Sequence, residues 1–275
     1  MKAMIFAAGL GTRLRPLTDT IPKALVEVGG KTLLEHTVER LKRAGFREIV
    51  INIHHFADMI RDYVCSHDFF GAEISFSDES DFLRDTGGGI RHAAGLLNDG
   101  EPFLVHNVDI LSNLEIGQMA ESFNHDTLQA DRGGKRPLAT LLVSGRQTQR
   151  YLLFNSEGHL VGWMNIKSGE VRSPFTWLGR TPDTDVESCN SFDYKAYIAQ
   201  RGLKMYAFDG VHIISPEIFR LMADKPERFS IIDFYLSYCD RWVITPYLQP
   251  GLKVVDVGKP ASLQRAGELL ADVSF

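Results

Sequence analysis

Apolar and polar positions alternate along residues 1–106 in a way that predicts strands and helices in turn. The apolar runs Ala3–Ala8 and Phe103–His106 are short and continuous, which is typical of buried strands. Residues 33–44 instead repeat apolar side chains every three or four positions, which is the pattern of an amphipathic helix. Further strands are predicted at Glu48–Ile53 and Glu73–Phe76, and further helices at Ala57–Val64 and Gly89–Leu97.

Strands that alternate with helices pair in parallel through right-handed crossovers. The chain is therefore predicted to be an α/β protein with a Rossmann-like, doubly wound and mostly parallel sheet. Ligands of such sheets bind outside the carboxyl ends of the strands. Polar residues that directly follow a strand are consequently the first candidates for chemistry.

The pattern changes after about residue 130, where short strands recur at hairpin spacing. Pro174–Asp193 is rich in Pro, Thr, Ser, Asp and Gly and is predicted to be a loop or mobile insert. We predict one unit over residues 1–275, in which residues 131–275 add a covering subregion to the sheet of residues 1–130. Strands are predicted at Leu138–Val143, Tyr151–Phe154, Leu160–Asn165, Lys204–Phe208, Val211–Ile214, Val243–Tyr247 and Lys253–Val257. Helices are predicted from Pro216 with Ser215 as cap, at Ile231–Tyr238, and at Pro260–Leu270.

The composition excludes several classes of protein. With 44% hydrophobic and 24% charged residues the chain is ordinary for a globular protein, and a net charge of −5 gives no electrostatic case for nucleic acid or a membrane surface. No apolar run reaches the roughly 18 residues of a membrane span, and the first run is too short for a signal peptide. Three scattered cysteines are typical of reduced thiols in a cytoplasmic protein. We expect a monomer or a small homo-oligomer.

A glycine turn follows the first predicted strand. Gly9-Leu10-Gly11-Thr12-Arg13 lets the backbone turn tightly and brings N–H groups against phosphate oxygens. Arg13 offers a planar fork that suits phosphate, and Lys23 adds a movable point charge ten residues later. The turn is not a dinucleotide fingerprint, because Leu14 stands where the third glycine is required. Nor is Gly30-Lys31-Thr32 a P-loop, because Leu25 occupies its first glycine position.

Five segments, in chain order, resemble the signature of the sugar-phosphate nucleotidyltransferases, also called NDP-sugar pyrophosphorylases. The resemblance covers nearly the whole chain and is strongest to the N-acetylmuramate 1-phosphate uridylyltransferase branch, which shares the Thr-Gly-Gly-Gly run and the short length. The family usually has glycine where this chain has Val108, and often glutamate where it has Asp85. The segments are Gly9–Arg13 with Pro16, Pro22-Lys23, Asp85–Gly89, Asn107-Val108-Asp109 and Asp256–Pro260.

The resemblance implies an enzyme that joins a nucleoside monophosphate from an NTP to a sugar 1-phosphate and releases pyrophosphate, with UTP and N-acetylmuramate 1-phosphate favoured. It assigns residues 1–130 to the nucleotide and residues 131–275 to the sugar. Arg13 and Lys23 are then the catalytic cations, and Asp109 and Asp256 hold Mg²⁺. The implied nucleotide contacts are Ala8, Gly9, Gly11, Thr12, Thr86, Gly87 and Gly88, and the implied sugar contacts are Asp85, Asn107, Asn165, Lys167 and Asp233.

Simpler interpretations stay open for several of these residues. Asp109 and Asp256 each follow an apolar run, where an aspartate often caps a turn. Lys167 in a turn is commonly a solvated charge, and Asp233 could lie in the first turn of a helix capped by Ser230. The alternative functions are a mannose 1-phosphate guanylyltransferase and a catalytically silent, sugar-nucleotide-binding regulator. A glycosyltransferase is disfavoured because its Asp-x-Asp motif is replaced here by one that begins with Asn107.

Overall fold

The computed structural model describes residues 1–130, 136–178 and 193–272, and within these ranges ten strands form one mixed sheet flanked by helices. The strands are β1 (Lys2–Phe6), β2 (Glu27–Val28), β3 (Lys31–Thr32), β4 (Glu48–Ile53), β5 (Glu73–Asp78), β6 (Phe103–Asn107), β7 (Ile110–Ser112), β8 (Pro137–Ser144), β9 (Arg150–Phe154), β10 (Leu160–Asn165), β11 (Val171–Arg172), β12 (Lys204–Ile214), β13 (Val243–Tyr247) and β14 (Val254–Asp256). The helices are α1 (Leu33–Arg43), α2 (Ala57–Ser66), α3 (Asp85–His92), α4 (Ala94–Leu97), α5 (Ile116–Ala130), α6 (Tyr194–Gln200), α7 (Glu217–Met222), α8 (Ile231–Tyr238) and α9 (Pro260–Asp272).

The first half forms a parallel unit in the order β5-β4-β1-β6, which confirms the predicted Rossmann-like core. Successive residues of β1 point to opposite faces, so Ala3 and Ile5 pack into one hydrophobic cluster and Met4 packs into the other. Apolar cores on both faces explain why these strands are continuous apolar runs without alternation. The carboxyl ends of all four strands lie at one edge, which we call the ligand edge.

The second half extends the sheet with antiparallel pairing. β12 pairs with β6 on one side and with β8 on the other, and its first residues pair with β9. It is one strand where two were predicted, because Gly210 (φ +71°) carries an irregularity through the ladder without ending it. Since β8 and β6 are both antiparallel to β12, β8 also ends at the ligand edge.

A two-stranded antiparallel ribbon brings the C-terminal segment back to this edge. β14 pairs with β7, with Asp256 opposite Ile110 and Val254 opposite Ser112. Beyond the ribbon, Val257 N donates a 2.8 Å hydrogen bond to the carbonyl oxygen of Asp109. The ribbon therefore holds Asp256 beside the residues that follow β6.

Several predicted boundaries differ from the structure by one or two residues, and differences at three segments have more to explain. The helix predicted at Gly89–Leu97 begins instead at Asp85, because a carbonyl oxygen from the second half accepts hydrogen bonds from its first turn. It is also divided into α3 and α4 near Ala93. α7 begins at Glu217, with Pro216 as its cap, one residue later than predicted. Of the predicted loop Pro174–Asp193, residues 179–192 lie outside the described residues; Thr176–Leu178 form a 3₁₀ turn, and Asp193 caps α6.

The glycines of α3 are buried against the segment that precedes α8. Gly87 N and Gly88 N both donate to the carbonyl oxygen of Phe229, at 2.9 and 3.2 Å. A Cβ on Gly88 would lie 2.2 Å from the carbonyl oxygen of Glu227, a distance that no packed side chain allows. Glycine is therefore required here so that the two halves of the chain can dock. None of the helices in the described ranges has the length and apolar content for crossing a membrane.

We predict that Gly88→Ala lowers the free energy of unfolding by about 1–3 kcal/mol, because the added methyl group forces backbone away from backbone. The matched control is Gly95→Ala in α4, where an added Cβ has nothing within 4 Å and removes backbone entropy from the unfolded chain. Denaturant unfolding of the two variants and the parent measures both effects. Equal stabilities of Gly88→Ala and Gly95→Ala would contradict the docking role.

Candidate active site

A cavity of about 480 Å³ opens at the ligand edge, between the glycine turn, the carboxyl end of β6 and the start of α3. Ten of the site residues predicted from the sequence line this cavity, and all ten belong to the first half of the chain. They are Ala8, Gly9, Gly11, Thr12, Arg13, Lys23, Asp85, Thr86, Asn107 and Asp109.

The glycine turn leaves β1 and bends back over the cavity. Gly11 adopts a left-handed conformation (φ +64°), and its carbonyl oxygen accepts hydrogen bonds from Leu14 N and Thr18 Oγ1, both at 2.8 Å. A Cβ on Gly9 would meet nothing within 4 Å, so bare backbone faces the open space there. The turn thus has the form that close approach of a phosphate group requires.

A buried polar bridge, which the sequence analysis did not identify, fixes the start of this turn. The side-chain oxygen of Asn52 accepts from Ala7 N at 2.7 Å and from Ala8 N at 3.2 Å, while its amide nitrogen donates to Glu79 at 2.8 Å. Asn52 and Glu79 stand at the carboxyl ends of β4 and β5 and line the cavity. A single polar residue near the end of an apolar strand was the available signal.

Two carboxylates and a lysine form a charged cluster, in which Lys23 and Asp109 line the cavity and Asp256 lies beside them without lining it. Lys23 Nζ donates to Asp109 Oδ2, and the side chains of this pair are only 11% and 18% exposed. Burial and the neighbouring Asp109 carboxylate raise the pKa of Asp256, while Lys23, Arg13 and Arg146 act to lower it. The predicted catalytic lysine and the predicted metal ligands therefore belong to one electrostatic cluster.

Arg13 reaches this cluster over a glycine. A Cβ added at Gly258 would lie 2.9 Å from Arg13 Nη2 and 2.7 Å from Asp256 Oδ1. Only a residue without a side chain allows the guanidinium and the carboxylate to come this close to the backbone. Gly258, in the C-terminal segment of the family resemblance, is thereby part of the cavity wall.

The carboxylate pair fits a divalent cation. Asp109 and Asp256 are held side by side by the backbone hydrogen bond at Val257, and a dication between them would relieve the repulsion that raises the pKa of Asp256. Within the described ranges no group of three or more His, Cys, Asp or Glu side chains is gathered for a metal. Two carboxylates are enough for an ion that keeps its remaining positions for water and substrate phosphates.

The start of α3 forms the far wall of the cavity. Asp85 has a left-handed backbone (φ +59°), and its carboxylate accepts a 2.6 Å hydrogen bond from Thr86 N. Thr86 Oγ1 accepts from Ile231 N at 2.9 Å and so helps to hold α8 in place. A non-glycine residue in this conformation is strained, and such strain is common where a side chain or backbone faces a ligand.

The predicted nucleotide contacts Gly87 and Gly88 do not line this cavity, because their N–H groups are occupied by Phe229 O. The same docking places Arg228, an exposed cation from the second half, in the cavity wall. The sequence analysis missed Arg228 because nothing in the chain pattern relates its loop to α3.

The predicted sugar contacts in the second half lie elsewhere. Asn165 Oδ1 accepts from Lys167 N at 3.0 Å and from Ser168 N at 3.4 Å, so this side chain caps its own turn. Asp233 lies in the first turn of α8 and pairs with Arg172. Neither Asn165, Lys167 nor Asp233 lines the cavity at the ligand edge.

Parts of the chain are similar to known proteins. The nucleotidyl transferase family profile matches residues 2–133. The N-acetylmuramate alpha-1-phosphate uridylyltransferase of Caulobacter vibrioides is 48% identical over 109 residues, which are 39% of this chain and 45% of that protein. The mannose-1-phosphate guanyltransferase of Kluyveromyces lactis is 37% identical over 228 residues, which are 82% of this chain and 53% of that protein. The chain thus spans about half the length of these two relatives.

The fold of the chain is similar to that of solved structures. The crystal structure of UDP-glucose pyrophosphorylase complexed with UDP-glucose superposes with a TM-score of 0.68 at 19% identity, covering 99% of both chains. At this identity the likeness concerns the fold. Residues 2–133 therefore match the nucleotidyl transferase family profile, and the chain as a whole has the fold of that solved structure.

Proposed function

We propose that this chain transfers a nucleoside monophosphate from an NTP to a sugar 1-phosphate and releases pyrophosphate. The observation that carries the proposal is that Arg13, Lys23 and Asp109 line one cavity, with Asp256 next to them and a backbone turn shaped for phosphate beside them. Loss of any of these charges would have favoured a silent, sugar-nucleotide-binding regulator instead. All of them are present in the sequence.

The reaction is a displacement at the α-phosphorus of the NTP. A phosphate oxygen of the sugar 1-phosphate forms the new bond, and the bond from the α-phosphorus to the oxygen that bridges to the β-phosphate breaks in line with it. A phosphate monoester loses its second proton near pH 6, so the attacking oxygen is already ionised and no general base is needed. The chain's task is to position the phosphates and to neutralise their charge.

The residues divide this task by position. Arg13 lies in the turn where the leaving pyrophosphate would bind, and Lys23 approaches from below, where charge builds on the α-phosphate. Asp109 and Asp256 would hold Mg²⁺, a hard ion that prefers oxygen ligands. When bound, Mg²⁺ would neutralise the phosphate oxygens and orient them. Lys23, which pairs with Asp109, would then be free to turn toward the substrate.

We further assign UTP and N-acetylmuramate 1-phosphate as the favoured substrates. The 48% identity over 109 residues to the uridylyltransferase of Caulobacter vibrioides supports this pair. Mannose 1-phosphate with GTP is the second candidate, because similarity to the guanyltransferase of Kluyveromyces lactis extends over 82% of the chain. The reduced thiols Cys65 and Cys239 agree with a cytoplasmic enzyme, as a monomer or a small homo-oligomer.

We predict that Arg13→Ala and Lys23→Ala each lower kcat by about 10²–10³-fold, because each removes a preorganised charge from the transition state. Both variants should stay folded, since neither side chain belongs to the apolar core. Arg15→Ala is the matched control, because Arg15 is exposed in the same turn and its ion pair is with the exposed Asp19, at 3.2 Å. Pyrophosphate release is the assay, and normal turnover by Lys23→Ala would contradict its assignment.

The metal assignment predicts a shifted dependence on Mg²⁺. A chelator should abolish activity, Mg²⁺ or Mn²⁺ should restore it, and Asp109→Asn should need at least about tenfold more Mg²⁺ than the parent because one ligand charge is lost. Asp19→Asn, which removes an exposed carboxylate, should titrate like the parent. If Asp109→Asn also titrated like the parent, Asp109 would not be a ligand.

The substrate assignment predicts that kcat/KM for UTP with N-acetylmuramate 1-phosphate exceeds that for GTP with mannose 1-phosphate by at least about tenfold, equivalent to 1.4 kcal/mol of transition-state discrimination. Base selection depends on a few hydrogen bonds to the base edge, and a wrong base leaves buried groups unpaired. Both nucleotides are measured with both sugars. A tenfold preference for the GTP pair would replace the substrates and leave the reaction class in place.

A further inference from the structure

Asp209 on β12 is a charged residue in a buried position. Its side chain is fully buried, and within the described ranges one of its carboxylate oxygens, Oδ2, has no hydrogen-bond partner. The other oxygen, Oδ1, accepts from Arg146 Nε. A buried carboxylate that is only half satisfied costs stability, so its presence requires a reason outside the core packing.

The reason we find is the orientation of Arg146. Its Nε group is held by Asp209, and Nη2 donates a 2.9 Å hydrogen bond to the carbonyl oxygen of Phe208. Among the described residues, Nη1 makes no hydrogen bond. Arg146 is 37% exposed, so its guanidinium is fixed on one side and open on the other.

The topology places this open guanidinium at the ligand edge. Arg146 follows β8, whose carboxyl end lies at the same edge as that of β6. Beside it, a Cβ on Gly210 would lie 2.7 Å from Asn107 Nδ2, so β12 approaches the cavity wall closely at this point. Arg146 is also one of the cations that act on Asp256.

The charge of Arg146 lies on the side of the second half. Arg13 and Lys23 line the cavity of the first half. Arg146 lines a second cavity of about 570 Å³ together with Val254 and Val255 of β14, the strand that ends at Asp256. Lys167, predicted to contact the sugar, lies in an exposed turn. Arg228 lines the far wall beside α3, whereas Arg146 is a second-half cation that is held in place on the side of Asp256.

We propose that Arg146 binds the 1-phosphate of the acceptor sugar and that Asp209 is the positioning residue that holds its fork. This inference rests on the proposed function, because it assigns one of the two substrates to a residue. The acceptor brings two negative charges toward an already anionic NTP, so a cation on the acceptor side is needed to offset their repulsion. A guanidinium held through Nε and Nη2 presents its remaining N–H groups in a fixed direction, which suits a phosphate monoester.

The test compares Arg146→Gln, Arg146→Lys and Asp209→Asn with the control Arg150→Gln, which removes an exposed cation at the start of β9, four positions after Arg146. KM for UTP and KM for N-acetylmuramate 1-phosphate are measured separately, and binding of the sugar 1-phosphate without NTP is followed by phosphorus NMR. Thermal unfolding checks that each variant is folded.

We expect Arg146→Gln to raise KM and the dissociation constant for the sugar 1-phosphate at least about tenfold, with KM for UTP changed less than about twofold. Arg146→Lys should recover part of the loss because it restores charge without the fork. Asp209→Asn should weaken binding of the sugar 1-phosphate by a smaller factor, again without a change in KM for UTP. Arg150→Gln should behave like the parent.

Unchanged binding of the sugar 1-phosphate to Arg146→Gln would overturn the inference, and so would an equal rise in both KM values. If Asp209→Asn does not fold, Arg146→Gln still decides. Failure of the proposed function is a different result, since the parent would then release no pyrophosphate with any NTP and sugar 1-phosphate. In that case Arg146-dependent binding of the sugar 1-phosphate would still support the phosphate site, and its absence would overturn both proposals.

Discussion

The backbone hydrogen bond from Val257 N to the carbonyl oxygen of Asp109 joins the C-terminal segment to the end of β6. It continues the ribbon of β7 and β14 and sets Asp256 beside Asp109. Two carboxylates held near each other repel, so the arrangement depends on nearby positive charge. Lys23 and Arg13 supply that charge from the first half. The charged cluster whose carboxylates repel each other is therefore also the cluster that is suited to phosphates and a dication.

The second half completes the cavity at more than one point. The segment after the ribbon adds Gly258 to the cavity wall, and the segment before α8 adds Arg228. The carbonyl oxygen of Phe229 in that segment accepts hydrogen bonds from the start of α3. The antiparallel pairing of β12 with β6 brings Asp209 to the same edge. A family match over residues 2–133 thus covers the nucleotide turn but not the whole site. Substrate choice depends on both halves, which is why partial identity leaves it as a proposal.

Strands and helices were predicted well wherever the spacing of apolar residues was clearly that of one kind of element. The strand Glu48–Ile53 and the helix Ile231–Tyr238 have the predicted bounds, because a continuous apolar run and a capped 3.6-residue pattern are unambiguous. The start of α3 was missed because glycine is a poor helix former, and only a distant carbonyl, that of Phe229, stabilises its first turn. β12 was predicted as two strands because Asp209-Gly210 has the composition of a turn.

Site residues were likewise predicted where a local motif marked them and missed where only contacts in the folded chain bring them together. The glycine turn, Lys23 and Asp109 were found because they follow strands or belong to a recognisable motif. Asn52 and Glu79 were not, since their contact across neighbouring strand ends exists only in the folded sheet. Asn165 was assigned to the sugar, yet its amide caps its own turn, because a local backbone donor lies nearer than any ligand.

The central claim is that the α-phosphate of the NTP passes to the sugar 1-phosphate. Two incubations with Mg²⁺ test it most directly, one with UTP labelled with ³²P at the α-phosphate and one with UTP labelled at the γ-phosphate. The account predicts that the α label appears in a sugar nucleotide and that the γ label appears in pyrophosphate. Recovery of the γ label on the sugar, or of both labels in unreacted UTP with every sugar 1-phosphate supplied, would contradict it.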